Sequence, residues 1–260
     1  MSDRETFSFS RMTTFEQCAR RYRYRYVDGV RDAFQSIEAF MGQQAHAALE
    51  WMFQERVQGR SPSDGAAVEF YTASFDKART ELGATLKVIK SDGKVEDYRR
   101  SGAGMVADFH RTRFLPDRMD TVGLEHHFVL DLGEGRKFQG FIDRLARDES
   151  GLLHVIDYKT GGRPPFRFAG KDADQLQAYA VAMFDGTSAD QLRLTLEYLK
   201  GGATCHQDIR REETVETRRR LAERVRTAAE ATVFPTGPGV LCGWCGFNDL
   251  CEDARPFGRR

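Results

Sequence analysis

Residues 140–162 read GFIDRLARDESGLLHVIDYKTGG, and the fold turns on how this stretch pairs with itself. The runs FQGFIDRLAR and LLHVIDYK are rich in β-forming residues, and the DESG between them is turn chemistry, so the segment predicts a β-hairpin. Side chains alternate along a strand, which puts Val155, Asp157 and Lys159 on one face and Ile156 and Tyr158 on the other. By the same rule Phe141, Asp143 and Leu145 point together. With the turn centred on Ser150, Asp143 falls opposite Asp157, their Cβ atoms roughly 5 Å apart. Two carboxylates that close repel unless something neutralises them. A divalent cation such as Mg²⁺ or Mn²⁺ does so, because it takes hard oxygen ligands. Lys159 adds a positive charge on the same face. Such a set can hydrolyse a phosphodiester, with the lysine orienting water or stabilising developing charge. Taken alone, D-x-K fits an ordinary surface ion pair better, so the rest of the chain must decide.

The chain has 260 residues, 40% hydrophobic and 11% aromatic, enough for one large domain or two small ones. No stretch approaches the roughly 18 consecutive apolar residues of a membrane helix, and the polar start MSDRETFSFS lacks an apolar signal core. A cytoplasmic protein is therefore expected. The net charge of zero excludes a uniformly basic nucleic-acid coat, but a local basic region stands out in CARRYRYRYVDGVR. There Arg20, Arg21, Arg23, Arg25 and Arg31 interleave with Tyr22, Tyr24 and Tyr26, a mixture suited to phosphate contact and base stacking. A helix with a solvated basic face would look the same.

Helices are expected over 10–26 and 36–58, and over most of 67–119 with a break at 91–94. Strands follow over 122–159, then a helix at 171–184, a strand at 192–199 and a helix at 213–232. This order predicts an α/β domain with a central mixed sheet flanked by helices. Of the five cysteines, Cys242, Cys245 and Cys251 form C-x2-C-x5-C, which is metal-ligand spacing. A fourth ligand would come from Cys18, Cys205 or His206, and four thiolates suit zinc and an iron–sulfur centre alike.

Six motifs in order resemble the RecB-type nucleases of the PD-(D/E)xK superfamily, in the iron–sulfur branch that includes the AddB nuclease domain and CRISPR adaptation nucleases. They are SFSRMTTFEQCARRYRYRYV, GQQAHAALE, GFIDR, VIDYKTG, QLQAY and the closing CGWCGFNDLC. Residues 60–120 match nothing specific, and Ala19 stands where the family usually has proline. The resemblance implies a restriction-endonuclease-like fold, a single nuclease domain over 1–260 with a helical insertion at about 60–120 and a cysteine-rich segment at 234–256. It implies His46, Asp143 and Asp157 as ligands of Mg²⁺ or Mn²⁺, and Lys159, Gln175 and Tyr179 beside them as catalytic residues. Gln175 and Tyr179 lie at i and i+4, on one helix face. Glu50, four residues after His46, is expected to orient its imidazole, and Glu125 is a weaker candidate. For the cysteines, the resemblance selects Cys18 as fourth ligand and a [4Fe–4S] cluster that ties the chain's two ends together.

The implied activity is cleavage of DNA, at single strands or ends, in repair, recombination, CRISPR adaptation or defence. No G-x-x-x-x-G-K-[ST] loop is present, so a motor of that kind would belong to a separate helicase or adaptation partner. The competing expectation is a non-catalytic DNA-binding or scaffolding protein that keeps the fold. A zinc-finger regulator is disfavoured by the distance of Cys18 from the triplet.

Overall fold

The computed structural model describes residues 6–90, 92–161 and 169–257. Gly162, the last residue of the hairpin stretch, and Ser91 in the expected helix break lie outside them. Strand β1 (Thr6–Ser8) runs into helix α1 (Phe9–Gln17), which begins where Ser8 Oγ accepts the Arg11 amide as an N-cap. The helix expected over 10–26 is broken at Cys18, whose backbone is extended (φ −162°, ψ 104°). Helix α2 (Ala19–Tyr22) and a wide π-turn at Arg23–Val27 follow. The break occurs with Ala19 in place of proline, and the Arg20 amide there bonds Pro235 instead of continuing the α1 ladder. A tertiary contact thus takes the place of the residue that would have forced the turn.

The chain continues through β2 (Gln35–Ser36), α3 (Ile37–Val57), α4 (Asp64–Leu82), β3 (Leu86–Lys87) and α5 (Val95–Phe109). Then come β4 (Asp120–Gly133), β5 (Arg136–Arg147), β6 (Leu153–Lys159), α6 (Gly170–Gly186), β7 (Gln191–Tyr198), β8 (Ala203–Arg210) and α7 (Val215–Ala229). The principal sheet runs β4–β5–β6–β7–β8, with β1 parallel to the opening of β5. It is mixed: β4, β5 and β6 are successively antiparallel, β6 and β7 are parallel through the α6 crossover, and β8 is antiparallel to β7. Strands β1 and β8 are additions to the expected set. The GGATCHQ segment at 201–207 leads into β8. Its polar residues alternate along an edge strand and leave little hydrophobic signal.

Each face of the sheet has its own core. Leu145, Val155, Leu194 and Leu196 pack with α1, α6 and α7. Ala146, Ile156 and Tyr158 pack with α3, α4 and α5. Residues 60–120, expected as an insertion, therefore furnish two of the three helices that cover the second face. Among the described residues no helix is long and apolar enough to cross a membrane.

Candidate active site

Strand β5 serves two neighbours along the same edge. Its opening residues pair with β1, up to Ser8↔Gln139, and its closing residues pair with β6, from Arg144↔Ile156 onward. The hairpin register is the expected one, since Arg144 faces Ile156 and Leu145 faces Val155. Beyond Arg144 the paired ladder ends, and the Tyr158 amide donates to Oδ2 of Asp143 at 2.7 Å. The sheet thus forks at Asp143, and side chains from both helical layers reach the fork.

The fork also breaks the alternation of side chains. Phe141 is exposed and Ile142 is buried in the α1–α6 core, yet Leu145 is buried in that same core and Arg144 lies on the other side of the sheet. The expectation that Phe141, Asp143 and Leu145 share a face is corrected: the switch falls between Ile142 and Leu145. On β4, the facing residue Glu125 has φ of +43°, a left-handed conformation uncommon outside glycine. The kinks on the two strands occur side by side, and both carboxylates turn toward the fork.

Glycines set the approach of the flanking helices. Helix α3 passes the end of β6 at Gly42, where a Cβ would lie 2.8 Å from Thr160 Oγ1. One turn later His46 brings Nδ1 within 3.4 Å of Asp143 Oδ1. From the other layer, Tyr179 of α6 rests over Gly140, where a Cβ would meet the rings of Phe128 and Tyr179 at 2.8 and 3.0 Å. The opening glycines of GQQAHAALE and GFIDR are therefore points of close helix–strand contact.

His46, Glu125 and Asp143 each offer one ligand atom, and the three atoms lie within 4.8 Å of one another. Asp157 is buried on the α6 side. Its Oδ1 accepts from Gln175 Nε2 at 3.3 Å, while its Oδ2 makes an ion-pair contact of 2.7 Å with Lys159 Nζ but no hydrogen bond. Gln175 links the group, accepting from Lys159 Nζ at 3.1 Å and donating to Tyr179 Oη at 2.7 Å. Gln175 and Tyr179 thus share a face, as expected from their spacing.

The electrostatics follow from this crowding. Burial and the charge of Asp143 push the Asp157 carboxyl up to about 7, against the pull of Lys159. Burial would lower His46, but Asp143, Asp157 and Glu125 outweigh it and raise the imidazole to about 9. Burial, then Asp143 and Glu50, raise Glu125. Clustered acids that resist ionising together, beside a histidine that holds a proton against burial, describe a site short of positive charge. A nitrogen and two carboxylates that close, with a buried carboxylate oxygen behind them contacted by Lys159, fit a hard divalent cation.

Other expected residues sit differently. Glu50 accepts from Gln54 at 2.7 Å and does not orient His46. Tyr22 is buried among Phe15, Tyr26 and Phe234, so its ring is unavailable to a base. Arg20 donates to the Phe234 carbonyl, Arg23 pairs with Asp28 and Arg25 pairs with Asp32. Tyr24 packs on Phe247 and reaches the Leu250 carbonyl. The Arg–Tyr segment chiefly clasps the C-terminal segment, and Arg21 and Arg25 also border a groove leading to Gln175. Cys18, Cys242, Cys245 and Cys251 line a common pocket, whereas Cys205 lies on β8 opposite Leu196 and His206 opposite Thr195.

Sequence reasoning gave no role to Arg144. Its buried guanidinium pairs with Asp117, donates to Thr121 Oγ1 at 3.0 Å and lies over Phe53, bracing β5 directly behind Asp143. The signal was an arginine next to Asp143 in the middle of the hairpin strand, between Ile142 and Leu145.

The profile of the PD-(D/E)XK nuclease superfamily matches residues 6–252. The chain belongs to the PD-(D/E)XK nuclease superfamily. Its mixed sheet flanked by helices fits that fold, and members of the superfamily are usually metal-dependent nucleases. No curated protein matches the chain. A solved structure described as "Crystal structure of SSO0001" is similar at 16% identity and a TM-score of 0.41, covering 97% of this chain and 88% of that one.

Proposed function

We propose that this PD-(D/E)XK chain is a metal-dependent deoxyribonuclease that hydrolyses phosphodiester bonds at the fork of β5 and β6. The observation that carries the reading is the approach of His46, Glu125 and Asp143 within 4.8 Å, beside Asp157 and Lys159. His46, Asp143 and Asp157 would hold Mg²⁺ or Mn²⁺, with Glu125 joining them. Such an ion, when bound, polarises the phosphate and lowers the pKa of a coordinated water. Lys159 keeps its proton, because Asp157 and Asp172 outweigh the burial that opposes it. Its ammonium stabilises charge building on the phosphate. Gln175 holds that ammonium and Asp157 in one hydrogen-bonded set, and Tyr179 fixes the Gln175 amide.

The finer reading is an exonuclease acting on single strands or ends in the cytoplasm, working with a separate helicase or CRISPR adaptation partner. The four thiols of Cys18, Cys242, Cys245 and Cys251 would hold a structural [4Fe–4S] cluster. Their convergence on one pocket supports this.

The deciding experiment is cleavage of labelled single-stranded and duplex DNA with Mg²⁺, Mn²⁺ or chelator. The wild type should cleave only with metal. Asp157→Ala should abolish cleavage with the fold retained, and Lys159→Ala should lower turnover about 10²–10³-fold while metal affinity holds. Wild-type rates in Asp157→Ala would remove the assignment. Metal-dependent DNA binding without any cleavage by the wild type would favour the scaffolding alternative.

A further inference from the structure

Phe141 is 53% exposed on β5, although Gly140 and Ile142 on either side are buried. Leaving half of a phenylalanine side chain in water forgoes part of the stabilisation its burial would give. The ring is nevertheless held in place. His127 sits directly across the β4–β5 pair, with ring centroids 4.8 Å apart and planes 30° apart. His127 Nε2 in turn lies 3.4 Å from Gln139 Oε1. Two flat rings thus form a supported platform. Asp143 follows two residues later on β5, about 7 Å along the strand.

Phe141 also borders a groove of about 480 Å³ that reaches Gln175 and Tyr179. Arg21, Arg25 and Lys171 border the same groove, three cations gathered locally in a chain of zero net charge. Arg25 is committed to Asp32, but Nε of Arg21 is buried without a hydrogen-bond partner and Lys171 is exposed. A cationic wall beside an exposed aromatic is the combination that tracks a nucleic-acid backbone and stacks its bases.

We infer that this groove carries a single DNA strand past the metal-binding residues, and that Phe141, backed by His127, stacks the base beside the scissile phosphodiester. The inference rests on the nuclease reading above and names the residue that would produce its preference for single strands. In a duplex both faces of every internal base are covered by its neighbours, so only an unpaired base can present its face to Phe141. Every base has such a face, so the preference is for unpaired nucleotides of any sequence.

The test is binding of the purified full chain to a labelled single strand, with Ca²⁺ replacing Mg²⁺ to hold the complex before cleavage, and to the same sequence as a duplex. Phe141→Ala should weaken single-strand binding roughly tenfold and leave duplex binding unchanged, and Phe141→Trp should restore it. A single abasic site, scanned along the strand, should reproduce the loss at one position in the wild type and add nothing to Phe141→Ala. Unchanged single-strand affinity in Phe141→Ala, or equal loss on both substrates, overturns the inference. Metal-dependent cleavage by the wild type is scored separately. Cleavage without any Phe141 or abasic effect leaves the nuclease reading standing and this inference fallen. The reverse pattern supports the stacking site and removes the nuclease.

Discussion

The amide of Tyr158 donates to Oδ2 of Asp143 at 2.7 Å, at the point where the paired β5–β6 ladder ends. Asp143 therefore does two things: it satisfies a backbone donor that the fork would leave bare, and it presents Oδ1 toward His46. The two roles separate by substitution. Asp143→Asn keeps an acceptor for the Tyr158 amide and relieves repulsion with Asp157, so its stability should match or exceed wild type. Asp143→Ala strands the amide and should lose about 1–3 kcal/mol. Both should lose Mg²⁺ binding by calorimetry. Equal stability of the two variants in urea would show that the hydrogen bond does not hold the fork.

Glu125 sits at φ +43° with its carboxylate beside His46 and Asp143. Glu125→Gly should be more stable than Glu125→Ala by about 1 kcal/mol, because glycine enters the left-handed region without steric cost. Both should bind metal more weakly and cleave more slowly than wild type. Thermal unfolding in chelator checks the first statement. A more stable alanine variant would mean the strand relaxes once the carboxylate is gone.

The cysteine pocket makes a prediction independent of activity. Purified without oxygen, the protein should be brown with broad visible absorbance from a thiolate-bound iron–sulfur centre. Cys18→Ala should remove the colour and destabilise the domain, because Cys18 lies at the α1–α2 break and the other three thiols lie more than 220 residues later in the chain. Cys205→Ala should do neither, since its side chain belongs to β8. A colourless protein with one equivalent of zinc would replace the cluster with a zinc staple.

Glu197 on β7, paired with Tyr158, carries part of the pH dependence. Burial, opposed by Arg113 and Arg144, pushes its carboxyl up from the ordinary 4.5 to about 7. Its Oε2 is buried without a hydrogen-bond partner. Between those values the folded protein holds a proton that the unfolded chain has released. The contribution to stability is complete below about 4.5 and is lost as pH rises through about 7. Glu197→Gln should remove its share of that slope, leaving the share of Asp157, whose carboxyl is also pushed up to about 7, and should stabilise the protein at pH 8 by roughly 1–3 kcal/mol. Urea midpoints at pH 5 and pH 8 read it directly, and an unchanged slope in the variant assigns the dependence elsewhere.

The sequence alone determined the hairpin, its register and the α/β order, because strand pairing at a short turn and helical periodicity are local properties. Spacing put Asp157 and Lys159 on one strand face, and the family resemblance added Gln175 and Tyr179, whose four-residue spacing fixes a common helix face wherever the segment lies. What depended on several segments at once was decided by tertiary structure. Residues 67–119 showed helices but not that they cover the sheet's second face. Cys18 showed no helix break, because the bond from Arg20 to Pro235 spans 215 positions. Glu125 was only a weak candidate, because its approach to His46 and Asp143 requires a kink in one strand opposite a fork in the next. Tyr22 looked available to DNA and is buried, because aromatic residues on a basic helix are legible from composition while the surface they pack against is supplied by the far end of the chain. A sequence states which residues can share a face; which faces become interior depends on the competition among all of them for burial.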